Sequence, residues 1–405
     1  MNILKNILAL FLCIFSVAAL AQKQSIGKNQ LAGGNINTIT TAVPFLTISP
    51  DSRAGAMGDA GVASSPDVNS LHWNASKYAF IEKNMGFSLN YTPWLKNLVP
   101  GINLAYLSGY KKVGKQQVIA GAMRYFSLGE IQFTDEQGAS MGQFTPSEYS
   151  FDLAYSRVLS QNFSAGVVMR YIYSNLTGGL QIGSTASRPG RSVAADASAT
   201  YRKPKVDLGS KKGTLSFGIN ISNIGAKISY TDQTRRDFLP TNLRLGSGLT
   251  VNLDDYNSIA FVLDINKLLI PSPPVKDYST NPATITSGLD NNVGVVTGML
   301  QSFYDAPGGS KEEVKEMIYC GGFEYWYDKL FAFRTGFFFE DKTKGNRQYV
   351  SFGAGLRYNV FGLDLAYLAP INGQQSPLQN TLRFTLTFDF DAFKSQNNGP
   401  AEGGE

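Results

Sequence analysis

The stretch Leu382-Arg-Phe-Thr-Leu-Thr-Phe-Asp-Phe390 alternates large apolar residues with polar ones. Successive side chains of an extended strand point to opposite faces, so its leucines and phenylalanines share one face and its polar residues share the other. In a soluble β-sandwich the apolar face would point into the core. In an outer-membrane barrel the apolar face points to lipid and the polar face lines the lumen. The stretch therefore predicts a strand and leaves both folds open.

The connections between such segments separate the two folds. Similar segments recur from residue 85 onward and predict fourteen strands, at residues 85–91, 101–110, 118–127, 148–158, 162–173, 192–203, 213–222, 242–252, 257–266, 317–327, 329–339, 348–358, 360–368 and 380–390. Long connections, at residues 128–147, 174–191, 223–241 and 267–316, alternate with short ones. This asymmetry is typical of outer-membrane barrels. We therefore predict an all-β fold, a 14-stranded antiparallel transmembrane β-barrel, with extracellular long loops and both chain ends in the periplasm.

The composition argues against an enzyme and against a nucleic-acid partner. The 405 residues include a single histidine, His72, which leaves no room for a two-histidine zinc site or a set of histidine-dependent active sites. The net charge of +5 is small for this length and forms no basic block. We therefore expect a non-enzymatic protein with no catalytic residue, cofactor or metal.

The N-terminus carries a targeting signal. Lys5 precedes an apolar run at residues 7–20, and Ala19-Leu-Ala21 has the small-x-small pattern of a cleavage site. These features predict a secretory signal peptide at residues 1–21. Its removal would leave Cys320 as the only thiol, which excludes an intramolecular disulfide. No later apolar run reaches the length of about 18 residues expected of a transmembrane helix.

A 14-stranded barrel is too wide for strand side chains alone to fill, so we expect a plug. Residues 22–84 are predicted to form it, ahead of a barrel at residues 85–393 and a flexible C-terminal tail at residues 394–405. Its glycines lie three apart, which is not the spacing of a dinucleotide-binding loop, and their small size suits close packing. The plug positions singled out are Pro44, Asp51, Arg53, Gly55, Gly58, Gly61, His72, Trp73 and Asn74. For His72 and Trp73, packing within the plug is favoured over contact with a ligand in the lumen.

Charged residues of both signs fall on the predicted lumenal face. They are Arg124, Asp152, Arg170, Asp196, Arg244, Asp264, Glu324, Arg334, Arg357, Asp364 and Arg383. Because the signs are interspersed, we favour ion-paired braces to the plug over a conduction path.

One part of the chain resembles a known family. Thr41-Ala-Val-Pro-Phe-Leu-Thr-Ile-Ser-Pro-Asp-Ser-Arg-Ala-Gly-Ala-Met-Gly-Asp-Ala-Gly-Val-Ala63, followed by Asn69-Ser-Leu-His-Trp-Asn-Ala-Ser-Lys-Tyr-Ala-Phe80, is similar to the N-terminal signature of the PorV family, also called LptO. That family is related to the FadL fatty-acid transporters. FadL-like plugs often carry Asn-Pro-Ala, where this chain has Asn74-Ala75-Ser76.

The resemblance implies a function in the type IX secretion system of Bacteroidota. It implies a FadL-like barrel with an N-terminal plug, set in outer-membrane lipid, that binds the C-terminal signal domain of exported cargo. The cargo would come from the SprA translocon and pass to a PorU-type attachment or signal-peptidase complex. One alternative is a FadL-type transporter of hydrophobic small molecules. Another, suggested by the name LptO, is a lipopolysaccharide O-deacylase, for which the chain has no Gly-x-Ser-x-Gly elbow.

The connection at residues 267–316 holds a candidate partner-binding surface. It opens with the stiff stretch Pro271-Ser-Pro-Pro274, and Asp290 or Asn291 is then expected to cap a helix. The apolar face of that helix would hold Val293, Val296, Leu300 and Phe303. Such a face must be covered, either by folding over the barrel mouth or by docking into a partner.

Overall fold

The protein folds as a closed antiparallel barrel. The computed structural model describes residues 36–93, 101–134, 137, 140–179, 181–182, 185–231, 236–371 and 381–390. In these ranges fourteen strands form the barrel, each paired with its neighbours in sequence and the first with the last. They are β1 (Met85–Pro93), β2 (Ile102–Lys112), β3 (Gln117–Leu128), β4 (Ser147–Ser160), β5 (Phe163–Asn175), β6 (Gly190–Leu208), β7 (Lys211–Gly225), β8 (Asn242–Asn252), β9 (Asn257–Leu268), β10 (Met317–Tyr327), β11 (Phe331–Phe339), β12 (Gln348–Tyr358), β13 (Phe361–Pro370) and β14 (Thr381–Asp389). The predicted 14-stranded barrel is confirmed, whereas the predicted signal peptide (1–21) and tail (394–405) lie outside the described residues.

The exposure of the two strand faces distinguishes the barrel from a sandwich. On β14 Arg383 is 1% exposed, while the apolar neighbour Leu382 is 44% exposed. The same inversion recurs on β10, β11 and β13, where the inward residues are Glu324, Arg334 and Asp364. Charged side chains inside and apolar side chains outside are the arrangement of a barrel that faces lipid.

Tyrosines mark both rims of the apolar wall. The exposed tyrosines near one rim include Tyr91, Tyr125, Tyr171 and Tyr367, and those near the other include Tyr155, Tyr201, Tyr327 and Tyr358. Aromatic side chains at these two levels form the girdles expected at the membrane interfaces.

The connections differ in length at the two ends of the barrel. The short turns, such as residues 161–162, 209–210 and 359–360, lie at one end, which also holds the start of β1 and the end of β14. The long connections lie at the other end. Residues 269–316 form the longest described one, with a hairpin of Val275–Asp277 and Thr284–Ser287 and two helices. The predicted alternation of long and short connections is therefore present.

The described part of the segment before β1, residues 36–84, contains four short helical elements and runs through the barrel. They are η1 (Pro44–Thr47), α1 (Ser52–Gly55), α2 (Ser70–Trp73) and η2 (Ala75–Phe80). At the long-loop end the Asn37 amide donates to Thr343 O, at 3.2 Å. At the short-turn end the Lys112 amide donates to Asn84 O, at 2.8 Å. The start of β1 therefore lies at the short-turn end of the barrel, and residue 37 lies at the long-loop end. The segment between them crosses the barrel from one end to the other.

Two apolar clusters hold this segment against the wall at its two ends. The cluster near the long loops is Ala42, Val43, Phe45, Leu46, Leu104, Phe126, Ile172, Ala194, Ile228 and Leu239. The cluster near the short turns is Leu71, Ala75, Tyr78, Ile81, Tyr110, Val118, Ala120, Ala154 and Val168. A third apolar cluster packs residues of the segment against the strands: Met57, Ala60, Val262, Cys320, Phe338, Tyr349 and Leu368.

None of the helices in the described ranges combines the length and the apolar character needed to cross a membrane.

Candidate functional site

Asp51 organises the first turn of the N-terminal segment. It is the N-cap of α1, and its Oδ2 accepts a hydrogen bond from the Ala54 amide at 2.9 Å. Its Oδ1 accepts from Trp73 Nε1 at 2.6 Å, which joins α1 to α2. The buried carboxylate is therefore satisfied by one backbone and one side-chain donor. Pro44 begins η1 near the long loops and is exposed.

Arg53 ties α1 to the barrel wall. Its Nε and Nη2 donate to the two carboxylate oxygens of Glu324 on β10, at 2.9 and 2.8 Å. Its Nη1 donates to Asp67 at 2.9 Å. Glu324 also accepts from Arg334 Nε at 2.7 Å, and Arg334 Nη1 donates to Asp364 at 2.8 Å. Bidentate arginine pairs of this kind fix both position and orientation.

The glycine-rich turn brings its backbone against the strands. The Gly61 and Val62 amides both donate to Asp264 Oδ2, at 2.6 and 2.9 Å. The Gly58 amide donates to Ser351 Oγ at 2.9 Å, and Gly58 has a φ of 68°, which favours glycine. A Cβ at Gly55 would collide with the Arg383 side chain. Small residues here allow the backbone itself to meet the wall.

His72 and Trp73 are packed inside the barrel. His72 Nδ1 lies 2.7 Å from Arg124 Nη2, and the His72 carbonyl accepts from Arg244 Nη1 at 2.9 Å. The two rings of His72 and Trp73 meet edge to face, with centroids 4.7 Å apart. Arg124 also donates to the Leu46 carbonyl at 2.7 Å. These contacts hold His72 and Trp73 between the N-terminal segment and the barrel wall.

Asn74 caps η2 and joins it to β6. Its Oδ1 accepts from the Ser76 amide at 3.1 Å, and its Nδ2 donates to Thr200 Oγ1 at 3.0 Å and to the Val62 carbonyl at 3.1 Å. The Ser76 hydroxyl lies 2.7 Å from Thr200 Oγ1. In the order Asn74-Ala75-Ser76, the third residue thus takes part in the hydrogen bonds to the strand.

The longest loop presents a short helix, α3 (Val295–Gln301). The predicted cap at Asp290 or Asn291 is wrong, because the N-cap is Gly294 and Asp290 instead accepts from the Asn292 amide at 3.0 Å. Val293 precedes the helix and is half-buried. The other three predicted residues stay uncovered: Val296 is 69% exposed, Leu300 is 64% exposed and Phe303, just after the helix, is 48% exposed.

Ion pairs clamp the base of this loop, next to α4 (Ser310–Lys315). Lys267 donates to Glu313 and Glu316, at 3.0 and 2.7 Å. Lys344, from the β11–β12 connection, donates to Glu312 and to Glu316, at 2.5 and 2.9 Å. Burial acts to raise the pKa of Glu316, but hydrogen bonds from Lys267, Ser272 and Lys344 hold that pKa below its ordinary value. We call residues 269–316, with this clamp, the loop platform.

The pKa of Asp305, also in the loop platform, is raised rather than lowered. Burial raises its pKa to about 6, and the neighbouring carboxylates of Glu313 and Glu316 add to that rise. The Ser272 amide, which donates to its Oδ2 at 3.2 Å, offsets part of the effect. Asp305 therefore titrates closer to neutral pH than an ordinary aspartate.

The comparison with protein families supplies the decisive observation. The family model described as type IX secretion system protein PorV matches residues 31–275, more than half of the chain. The chain belongs to the PorV family. No curated protein matches it.

Solved structures similar to this PorV-family barrel include channels for small molecules. The Pseudomonas putida toluene transporter TodX is 10% identical, with a TM-score of 0.47 over 87% of this chain and 98% of that one. The Ralstonia pickettii toluene transporter TbuX is 10% identical, with a TM-score of 0.45 over 84% and 97%. A Pseudomonas aeruginosa FadL homologue is 12% identical, with a TM-score of 0.42 over 87% and 99%. The family assignment rests on the sequence match alone.

Sequence reasoning missed the strand glycines that face the N-terminal segment of this PorV-family chain. A Cβ on any of them would collide with that segment: Gly166 faces Ser76, Gly218 and Gly246 face Val62, Gly248 faces Ala63, Gly322 and Gly336 face Met57, and Gly353 faces Ala56. The sequence signal that could have identified them is a glycine at an inward-facing strand position, because such a glycine often marks the close approach of another backbone.

The family and the fold are those of a secretion barrel. In the described part of the chain, no group of three or more His, Cys, Asp or Glu side chains could hold a metal ion. Cys320 is buried on β10 as a free thiol.

Proposed function

We propose that this outer-membrane component of the type IX secretion system binds the C-terminal signal domain of exported cargo at its long-loop end. It receives that cargo from the SprA translocon and delivers it to a PorU-type attachment or signal-peptidase complex. The long loops face the cell exterior, and the short turns face the periplasm. Residues 22–84 act as a plug that closes the barrel. Family membership supports the role in secretion. The contacts described above support a plug inside the barrel and a binding surface at the long loops.

The exposed face of α3 carries this proposal. Val296, Leu300 and Phe303 form an apolar surface on a loop that reaches beyond the strands. The clamp beneath it is made of ion pairs to β9 and to the β11–β12 connection, so the loop is held in place rather than left loose. A preordered apolar face loses little conformational entropy on docking and favours a partner over a lid.

The polar lumen gives less support to transport of hydrophobic molecules. A continuous apolar route would be needed, yet the N-terminal segment meets the strands through charged groups such as Arg53, Glu324 and Asp264. Backbone also packs directly against backbone where Gly58 meets Phe337. We therefore favour a filled barrel whose working surface is its outer end.

The double substitution Leu300→Asp and Phe303→Asp tests the docking surface. Full burial of each side chain is worth about 1.5–3 kcal/mol, and the new charges would be buried without partners. Recovery of the translocon with the affinity-purified protein, and secretion of cargo, should both fall. The matched control is Tyr278→Asp, an exposed aromatic on the hairpin of the same connection, which should leave both unchanged.

Heat-modifiable gel mobility shows whether each variant still folds as a barrel. Normal secretion and normal recovery of the translocon by a folded double variant would show that the α3 face is not the docking surface. A loss in Tyr278→Asp equal to that in the double variant would point to the loop as a whole instead.

A further inference from the structure

The lipid-facing wall has a pit near its short-turn end. Gly109 of β2 and Gly121 of β3 are paired directly, and both occupy outward-facing positions. Two neighbouring strands therefore carry no side chain at the same level. Phe87 of β1 is paired with Gly109 and Leu153 of β4 with Gly121, so a large side chain closes the pit on either side.

Side chains also close the pit above and below. The Leu107 and Met123 pair lies one level toward the long loops, and the Lys111 and Ile119 pair lies one level toward the short turns. The pit is a shallow recess, open toward the bilayer, with a volume of about 600 Å³. With strands about 4.8 Å apart, two bare strands leave a channel wide enough for a hydrocarbon chain.

The chemistry of the lining points to an amphiphile with a phosphate headgroup. Met85, Val113 and Phe390 add apolar surface to the walls, and Lys111 is the one charged residue among the described residues that line the pit. Lys111 is exposed at the end of β2, and the turn that follows adds Lys115, which is exposed as well. An apolar recess with a cation at its rim matches an acyl chain attached to a phosphate group.

We propose that the pit binds one glycerophospholipid of the leaflet that meets the short turns. One acyl chain fills the space over Gly109 and Gly121, and the phosphate lies against Lys111. The register leaves this space open on the outer face only, so the ligand enters from the bilayer and not from the lumen. The site is independent of the loop platform and of the partners proposed for it.

Gly121→Leu fills the pit and tests the proposal. A Cβ at this position meets nothing closer than the Asp152 carbonyl, at 3.6 Å, so the strand tolerates the change. Native mass spectrometry of the full chain in mild detergent, with phosphatidylethanolamine added as the probe, should show bound lipid on the native protein and loss of it in the variant. The matched control is Gly321→Leu on the outward face of β10, where the nearest atom is Leu263 Cδ2 at 3.4 Å. It should keep the lipid.

Lys111→Glu reverses the charge at the rim and leaves the pit open, so it should also lose most of the bound lipid. Heat-modifiable mobility confirms that each variant forms a barrel. Full retention by Gly121→Leu, or equal loss in Gly321→Leu, would overturn the site. Unchanged retention by Lys111→Glu would overturn the assignment to a phospholipid. Crosslinking of a protein, rather than lipid, to a photoreactive label on Ile119→Cys would show that a partner occupies the pit.

Discussion

Replacing Arg53 with methionine tests whether ion pairs hold the N-terminal segment in the lumen. The change removes two hydrogen bonds to Glu324, two to Ser65 and one to Asp67, while methionine preserves apolar volume. Breaking a buried ion pair by removing one partner costs about 3–5 kcal/mol. Because Arg334 remains 2.7 Å from Glu324, we expect the lower end, about 3 kcal/mol. At about 1.4 kcal/mol per factor of ten, the released state should gain roughly a hundredfold in population.

Current through single barrels in a planar bilayer measures that release. The native protein should pass little current, and the open fraction of Arg53→Met should rise roughly a hundredfold. Arg357→Met is the matched control, because Arg357 of β12 pairs with Asp364 of β13 and so joins two strands of the wall. This variant should keep the low current of the native protein. Adding Asp67→Asn to Arg53→Met removes the carboxylate that loses its ion pair with Arg53 and should restore part of the seal. A folded Arg53→Met barrel with the current of the native protein would refute the reasoning.

Two further predictions concern the orientation of the barrel in the membrane and the effect of pH on the loop platform. A cysteine at Ile36, which is 72% exposed near the long loops, should react with an impermeant maleimide on intact cells, whereas Val113→Cys should react only after lysis. Equal labelling would contradict the orientation. The lowered pKa values of Glu312 and Glu316 mean that their stabilisation is full above their ordinary value of 4.5 and lost as the pH falls below it. Asp305 contributes the opposite trend because its pKa is raised to about 6, so the test uses the Asp305→Asn variant. In that variant proteolysis within residues 269–316 should be faster at pH 4 than at pH 7, and equal rates would count against the clamp.

The strands were predictable because a lipid-facing barrel imposes period two on every crossing. A shift of one residue would turn each apolar side chain into the lumen, so pattern and register agree along β14 and its neighbours. Lumenal charges such as Glu324 and Arg334 followed from the same pattern. The partners of these charges could not be predicted in the same way. Arg53 lies 271 positions before Glu324, and nothing local in the chain relates the two.

The errors on the loop have a local cause. Asp290 accepts a hydrogen bond from the amide two residues later, which is an alternative to capping the helix, so the chain remains extended until Gly294. Val293 consequently falls before the first turn. The clamp at Lys267 and Lys344 was not predicted, since it joins residues of two connections that meet only after the barrel closes.

Asn37 joins the N-terminal segment to the loop platform. Asn37 Nδ2 donates to the Pro273 carbonyl and to Glu312 Oε1, both at 3.1 Å, and the Asn37 amide donates to Thr343 O. Glu312 in turn accepts from Lys344. Movement of the platform away from the barrel would therefore break contacts to the segment that fills the lumen. That segment is braced to the wall at Arg53, so contacts connect the loop platform to the barrel interior. The partner proposed for the α3 face would therefore meet an ordered surface.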